Sequence, residues 1–369
     1  MIAADAVGGI LLASVTLYAV LGGADFGGGL WDLLAGGAQR GRAPRRLIDD
    51  TITPVWEANH VWLVFDLVIF WTAFPHAFAA VMTTLALPLW LALLGIVLRG
   101  VGFAFRKEVH GLSAQRLFGA LFAFSSLLVP FFMGTVVGAI ATGRVPVQGA
   151  TASMAAWTSG TCVLTGLLFT GACGYLAAVY LAGEATRIGD ERMAAYFSGR
   201  AVAAGIGSGG LSLAALVSLH GSLLYSRLTG RALPLVIVAG LCGVAVLVLL
   251  LTGYRRALWT RAIAALGVAA VVWGWGVAQY PVLLPGTGVT LSNAGAPGQT
   301  LVAIVWLFVV VLVLIGPAFA LLFALQGRRL LQAEEPAKTA AAAAASQASG
   351  PGRFAYLVVA VAVLRRLRR

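Results

Sequence analysis

The feature that most constrains this chain is a series of nine apolar runs, near residues 6–25, 53–73, 77–105, 117–142, 157–182, 201–226, 232–253, 259–280 and 300–326. A hydrocarbon core of about 30 Å takes about 20 apolar helical residues to cross. Inside it every backbone N–H and C=O must find an internal partner, which leaves helices or closed barrels. Runs this long suit helices rather than the short alternating strands of a barrel. An all-α integral membrane protein of about nine transmembrane helices is expected, with a first group of four over 6–142, a second over 157–280 and a ninth helix over 300–326.

Composition agrees. Charged residues make up 10% and hydrophobic residues 60% of the 369, where a soluble domain carries about 25% charged. The net charge of +12 does not mark a nucleic-acid surface, because the basic residues fall between the apolar runs instead of forming a stripe. The first run follows Asp5, has no basic residue before it and no cleavage-like site after it, so it reads as a retained span. Cys162, Cys173 and Cys242 all lie inside runs, without the spacing that holds a metal or attaches haem.

Alternate loops of a correct span model should collect the basic residues. One set holds Arg40, Arg42, Arg45, Arg46, Arg106, Lys107, Arg116, Arg187, Arg192, Arg200, Arg255, Arg256 and Arg261, which is 13; the other holds only Arg144, Arg227 and Arg231. The tail adds Arg328 and Arg329 to the rich side. The amino terminus is therefore expected outside and the carboxyl terminus in the cytoplasm of a bacterial-type cell membrane. Residues 1–332 form the membrane domain, and 333–369 read as a low-complexity, Ala-rich linker with a short basic apolar tail. The closing segment Phe354 to Leu364 is too short to span, which leaves a surface anchor or plain disorder.

Ionisable residues inside spans are costly and mark a pathway, a pair or a ligand site. Asp25, Glu57 and Arg99 fall at similar depth near the cytoplasmic ends of spans one to three. Two readings stay open: a proton relay whose carboxylates are held by Arg99, and a static ion pair tying the helices. On span two, Glu57 and His60 are three residues apart and share a face, while Asn59 and Asp66 lie seven apart on another. Asp66, about 20 Å along the span, passes the midplane; it either extends a polar path or is satisfied by a nearby hydroxyl. Trp56 and Asn59 are expected in structural roles beside the pair.

His60 and His220 are the histidines assigned to spans, with His76 and His110 in loops. Neither has the paired placement haem ligation needs, so hydrogen-bonded core positions are expected. The glycine runs GIGSGG (205–210) and WGWG (273–276) suit tight helix crossings. The second group of spans offers no counterpart to the carboxylates of the first. The segment QYPVLLPGTGVTLSNAGAPGQT (279–300) is longer than a bare connection and suggests an ordered cap.

The segments GGADFGGGLWDLL, TITPVWEANHVWL, TAFPHAFAAV and LRGVGFAFR, with the arginine-rich loop between the first two, resemble in order the first three helices of cytochrome bd oxidase subunit II. QYPVLLP and LSNAGAPGQTL are similar to that family's penultimate loop, and the likeness runs to about residue 330. It implies two four-helix bundles plus one peripheral helix. It also implies a haem-bearing subunit I as partner, carrying haems b and d and reducing oxygen with quinol as donor, and the lipid bilayer and small accessory subunits as further contacts. This chain would bind no cofactor, metal or nucleic acid and would contribute a proton path from the cytoplasm. By resemblance Asp25 matches the acidic residue of a GFDxG-like segment and Glu57 that of a WDGN-like segment. The chain reads WEANH where the commoner pattern has Asp, Gly and a non-histidine, which leaves the electron donor open. A secondary transporter or a structural scaffold is the alternative. The transporter would need broken helices and midplane charges in two repeats.

Overall fold

A computed structural model describes residues 2–37, 39–52, 56–108, 112–148, 150–253 and 257–327; within these, the side chains of 52, 56–58, 106–108, 112–116, 257, 315, 319–320 and 322–327 are not described. Residues up to Val305 form one unit, and Trp306 onward belongs to a second whose described part continues one helix to Gly327. Eight helices are long and apolar enough to cross a membrane, or nine when a bent pair counts as one span. The all-α, multi-span class expected from run length is thus what the chain adopts.

The order is α1 (Ile2–Leu17), a π-helical turn (Tyr18–Gly22), α2 (Gly23–Leu33), α3 (Arg42–Ile52), α4 (Trp56–Ala73), α5 (Pro75–Thr84), α6 (Ala86–Glu108) and α7 (Leu112–Ala141). Then come α8 (Met154–Trp157), α9 (Gly160–Arg187), α10 (Glu191–Ser218), α11 (Leu223–Leu228), α12 (Leu233–Leu251) and α13 (Ala257–Gln279). A hairpin β1 (Val282–Leu284) and β2 (Val289–Thr290), α14 (Leu291–Ala294) and α15 (Gly298–Gly327) complete it. The helix α9 packs along α2, α7, α10 and α13, so it joins the first group of spans to the second.

Several expected boundaries move, each for a physical reason. The third run, 77–105, divides: Phe74 leaves helical geometry, Pro75 starts α5, and α5 turns 119° from α4 before Leu85 separates it from α6. The run 201–226 also shifts. Asp190 caps α10 by accepting a hydrogen bond from Met193 N at 3.0 Å, so α10 begins at Glu191. Arg192 and Arg200 therefore lie on a helix and not in a loop. At the other end α10 stops at Ser218, which leaves His220 exposed in a turn instead of within a span. His76 is exposed on α5, and His110 lies outside the described residues.

The first unit has apolar cores at both ends and between them. One joins Trp31, Leu47 and Ile48 to the last turns of α9 and the first turns of α10. The opposite core joins Ala4 and Val7 to the end of α4, to α5, and to Leu284, Ala294 and Leu301. Between them lie Tyr18, Phe26, Val129 and Cys173. The chain ends that meet in each core fit spans alternating in direction.

The segment after α13 is ordered, as its length suggests. Gly286 and Gly288 take positive φ of 78° and 74° in the hairpin turn, a conformation that favours glycine. Thr290 and Asn293 cap α14 reciprocally. The cap is tied to the membrane helices by Ala296 N donating to Ala73 O at 2.8 Å and by Tyr280 OH donating to Asp5 Oδ1 at 3.3 Å.

Glycines make the closest crossings, but not where GIGSGG suggests. A Cβ on Gly27 of α2 would overlap the Cys173 carbonyl of α9 and come within 2.7 Å of Ala177 Cβ. In 205–210 only Gly205 meets neighbours, at 3.3 Å from Leu247 and Tyr175, while Gly207, Gly209 and Gly210 face open space. The WGWG run is split in the same way: Gly276 sits hard against Leu12, whereas Gly274 makes an ordinary contact with Leu235. Gly27→Val is expected to cost about 1–3 kcal/mol or prevent accumulation, and Gly210→Ala to stay within about 0.5 kcal/mol of the parent. Thermal unfolding of the purified protein compares the two.

Candidate functional site

Arg99, from the middle of α6, is 1% exposed and is the largest fully buried side chain among the described residues. Isolated, a guanidinium there would cost several kcal/mol. Its two terminal nitrogens are matched instead. Arg99 donates to Asp25 Oδ1 at 2.5 Å, to the Asp25 backbone carbonyl at 3.1 Å, and to Ser126 Oγ on α7. Ser126 in turn donates to Phe122 O at 2.6 Å.

Rings cover the guanidinium. Phe26 and Phe122 present ring centroids 5.0 and 4.6 Å from Arg99 Cζ, inside the roughly 6 Å range of cation–π attraction. The glycines of α2 make room for this: a Cβ on Gly29 would collide with the Ser126 side chain. The glycine-rich stretch after Asp25 thus lets α2 and α7 close on Arg99 from two sides.

The first turn of α4 lies against the same cluster. Asn59 is buried and donates from Nδ2 to Leu21 O at 3.2 Å, on the π-helical turn that precedes Asp25. The His60 ring stands edge-on to Phe26 and Tyr18, with centroids 6.0 and 6.4 Å away. Trp56 and Glu57 are the first two residues of α4, and their side chains lie outside the described residues. Asp66, two turns further along α4, is faced by Ser14 of α1. The structure therefore brings Asp25, Arg99, Asn59 and His60 into one neighbourhood, with Asp66 farther along the same α1–α4 seam.

A second ionic group went unread in the sequence. Glu184, 8% exposed near the end of α9, accepts from Arg187 at 2.6 and 3.0 Å and from Arg261 of α13 at 3.3 Å. Arg261 also donates to Tyr180 O at 2.7 Å. The second group of spans thus does hold a buried carboxylate, contrary to expectation, because α9 runs five residues beyond the expected end at 182. Phe26, Phe122 and Ser126 were also missed, since an aromatic or a serine in an apolar run carries no signal of its own. Among the described residues no three of His, Cys, Asp and Glu converge as metal ligands. His60 packs among rings at one end of α4, and His220 sits against Tyr225 beyond α10, so the two do not form a ligand pair.

A polytopic helical membrane protein organised around a buried arginine–aspartate pair is the class these observations define. Comparison with known proteins narrows it: the model of the family described as cytochrome bd terminal oxidase subunit II matches residues 4–326, and the chain belongs to that family. The cytochrome bd ubiquinol oxidase subunit 2 of Bacillus subtilis is 34% identical over 116 residues, 31% of this chain and 33% of the relative. The cytochrome bd-I ubiquinol oxidase subunit 2 of Escherichia coli K12 is 27% identical over 135 residues, 36% of this chain and 35% of the relative. These matches span about a third of the curated relatives' length. A chain from the structure of the bd oxidase of Geobacillus thermodenitrificans has the same fold, with a TM-score of 0.69 at 23% identity over 90% of this chain and 99% of that one.

Removing one partner of a buried ion pair leaves an uncompensated charge and costs about 3–5 kcal/mol, whereas replacing both is often far milder. Arg99→Met is expected to lose that much stability, and Asp25→Leu with Arg99→Met to recover a large part of it. A double-mutant cycle on the melting temperature of the purified protein measures the coupling.

Proposed function

We propose that this chain is the haem-free second subunit of a cytochrome bd-type quinol oxidase in a bacterial cell membrane. It packs against and stabilises a first subunit that carries haems b and d, and it supplies a proton path from the cytoplasmic side. Membership in the subunit II family supports the assembly, and the preference of basic residues for alternate loops supports an outside amino terminus and a cytoplasmic carboxyl terminus. The observation that carries the path is that Asn59 and His60, near the start of α4, lie beside the segment that holds the buried Asp25–Arg99 pair.

The haems, when present in the partner, supply the oxygen chemistry; the residues here hold and hand on protons. Glu57, at the start of α4, takes a proton from the cytoplasmic side. His60, one turn along, can accept and release it. Arg99 keeps a carboxylate at Asp25 in a dry environment, where a lone one would be expelled or neutralised. The same pair ties α2, α6 and α7 together, so the relay and structural roles are compatible.

A transporter reading draws less support. The helix break lies at Phe74, against the cap formed after α13, rather than at a midplane charge. Glu57→Gln is expected to slow oxygen consumption with assembly and haem content intact. Full turnover in that variant would reject the relay. Purification of the chain alone, without haem and able to move a solute when reconstituted, would reject the oxidase assignment.

A further inference from the structure

Beyond the Asp25–Arg99 pair, the seam between α1 and α4 holds a line of polar oxygens with no direct hydrogen-bond partner among the described residues. These are Asp25 Oδ2, Tyr18 Oη, Ser14 Oγ and Asp66 Oδ1. Asp25, Tyr18 and Ser14 are 2%, 5% and 1% exposed. Tyr18 is within electrostatic reach of both Asp25 and Asp66, and its ring stands 6.3 Å from that of Phe26 and 6.4 Å from that of His60. Ser14 faces Asp66 just short of direct hydrogen-bond geometry. The helical rise from Ser14 to Asp25 spans about 16 Å, roughly half the hydrocarbon thickness.

Buried polar atoms are almost always hydrogen-bonded, and those without a protein partner are usually met by ordered water. One such atom is an exception to be explained singly. Four together, a pair of hydroxyls flanked by two carboxyls, mark a polar seam through an otherwise apolar core of Phe26, Val129 and Cys173. At its far end Asp66 is only half buried, while Val61, Val64, Leu67, Val68 and Trp71 of the same helix are exposed. The line therefore starts at the ion pair and reaches the lateral surface of the chain at Asp66.

We infer that Asp25, Tyr18, Ser14 and Asp66 frame a file of internal water, and that Asp66 is its proton-holding terminus toward the partner subunit. This rests on the proton-path reading above and extends it past the ion pair. Each hop passes one proton from a hydroxyl or water to its neighbour and replaces it from the Asp25 side, so no hydroxyl is left charged. Asp66 accepts the proton as a carboxylate and releases it at the lateral surface. A carboxylate at that depth is costly against lipid, and a protein surface over it removes that cost.

The test uses the oxidase purified with its partner from the native membrane. Radiolytic hydroxyl-radical labelling, which marks side chains beside internal water, is expected to oxidise Tyr18 despite its burial, and Ser14→Ala to weaken that label. Asp66→Asn is expected to slow oxygen consumption by about tenfold and to raise the solvent isotope effect, with haem content and melting temperature unchanged; Ser14→Ala, which removes the hydroxyl and adds no bulk, should shift both in the same direction. A protected Tyr18 overturns the water file. Full turnover in Asp66→Asn alongside a slow Glu57→Gln overturns the role of Asp66 and leaves the entry path standing. Full turnover in Glu57→Gln alongside a slow Asp66→Asn rejects entry at Glu57 and supports the file on its own.

Discussion

The packing of the first helices follows from one requirement: the guanidinium of Arg99 must have its charge and donors matched away from water. No single helix can do this. Asp25 comes from α2, Ser126 from α7, and the covering rings from both. Those helices must then approach closely, and Gly27 and Gly29 are the residues that permit it. A buried pair of this kind is a weak source of net stability but a strong specifier, since any other packing of α2, α6 and α7 strands a charge. Glu184 with Arg187 and Arg261 ties α9 to α13 in the same way nearer the surface.

Much of this was legible in the chain. Run length identified the spans because hydrocarbon thickness sets a minimum, and Asp25 and Arg99 stood out because charges are rare in such runs. What was not legible depends on geometry between helices. A glycine in an apolar run looks the same whether it meets a backbone carbonyl, as Gly27 does, or open space, as Gly210 does. Glu184 was lost because a helix can continue past its apolar stretch once its end is salt-bridged. The break at Phe74 agrees with the gap between the second and third runs, but the division of the third run at Leu85 was not legible, because it falls within an unbroken apolar stretch. Which residues of α4 face inward was partly evident: Asn59 and Asp66 were placed on one face, but their neighbours Leu21 and Ser14 were not foreseen.

The two ends of the first unit are built by different means. At the arginine-rich end, ion pairs hold short connections: Arg45 on α3 donates to Asp32 at 2.7 Å and closes α3 onto the end of α2. At the opposite end, backbone hydrogen bonds and glycine turns do the work, with the hairpin and α14 laid over the ends of α1, α4 and α5. Among the described residues fixed charge is thus denser on one side than on the other, where Asp5 and Arg231 are engaged with the residues around Tyr280.

The π-helical turn at Tyr18–Gly22 has a directional effect. In a regular helix Ser14 and Asp25, eleven residues or about three turns apart, would look out from the same side. A widened turn accommodates roughly one extra residue, which rotates everything after it by about 100° relative to what comes before. One continuous helical segment can then aim Ser14 at α4 and Asp25 at α6. The turn works as a fixed swivel: wound as regular α-helix with the same residues, the segment would realign its faces and point the two groups at the same neighbour.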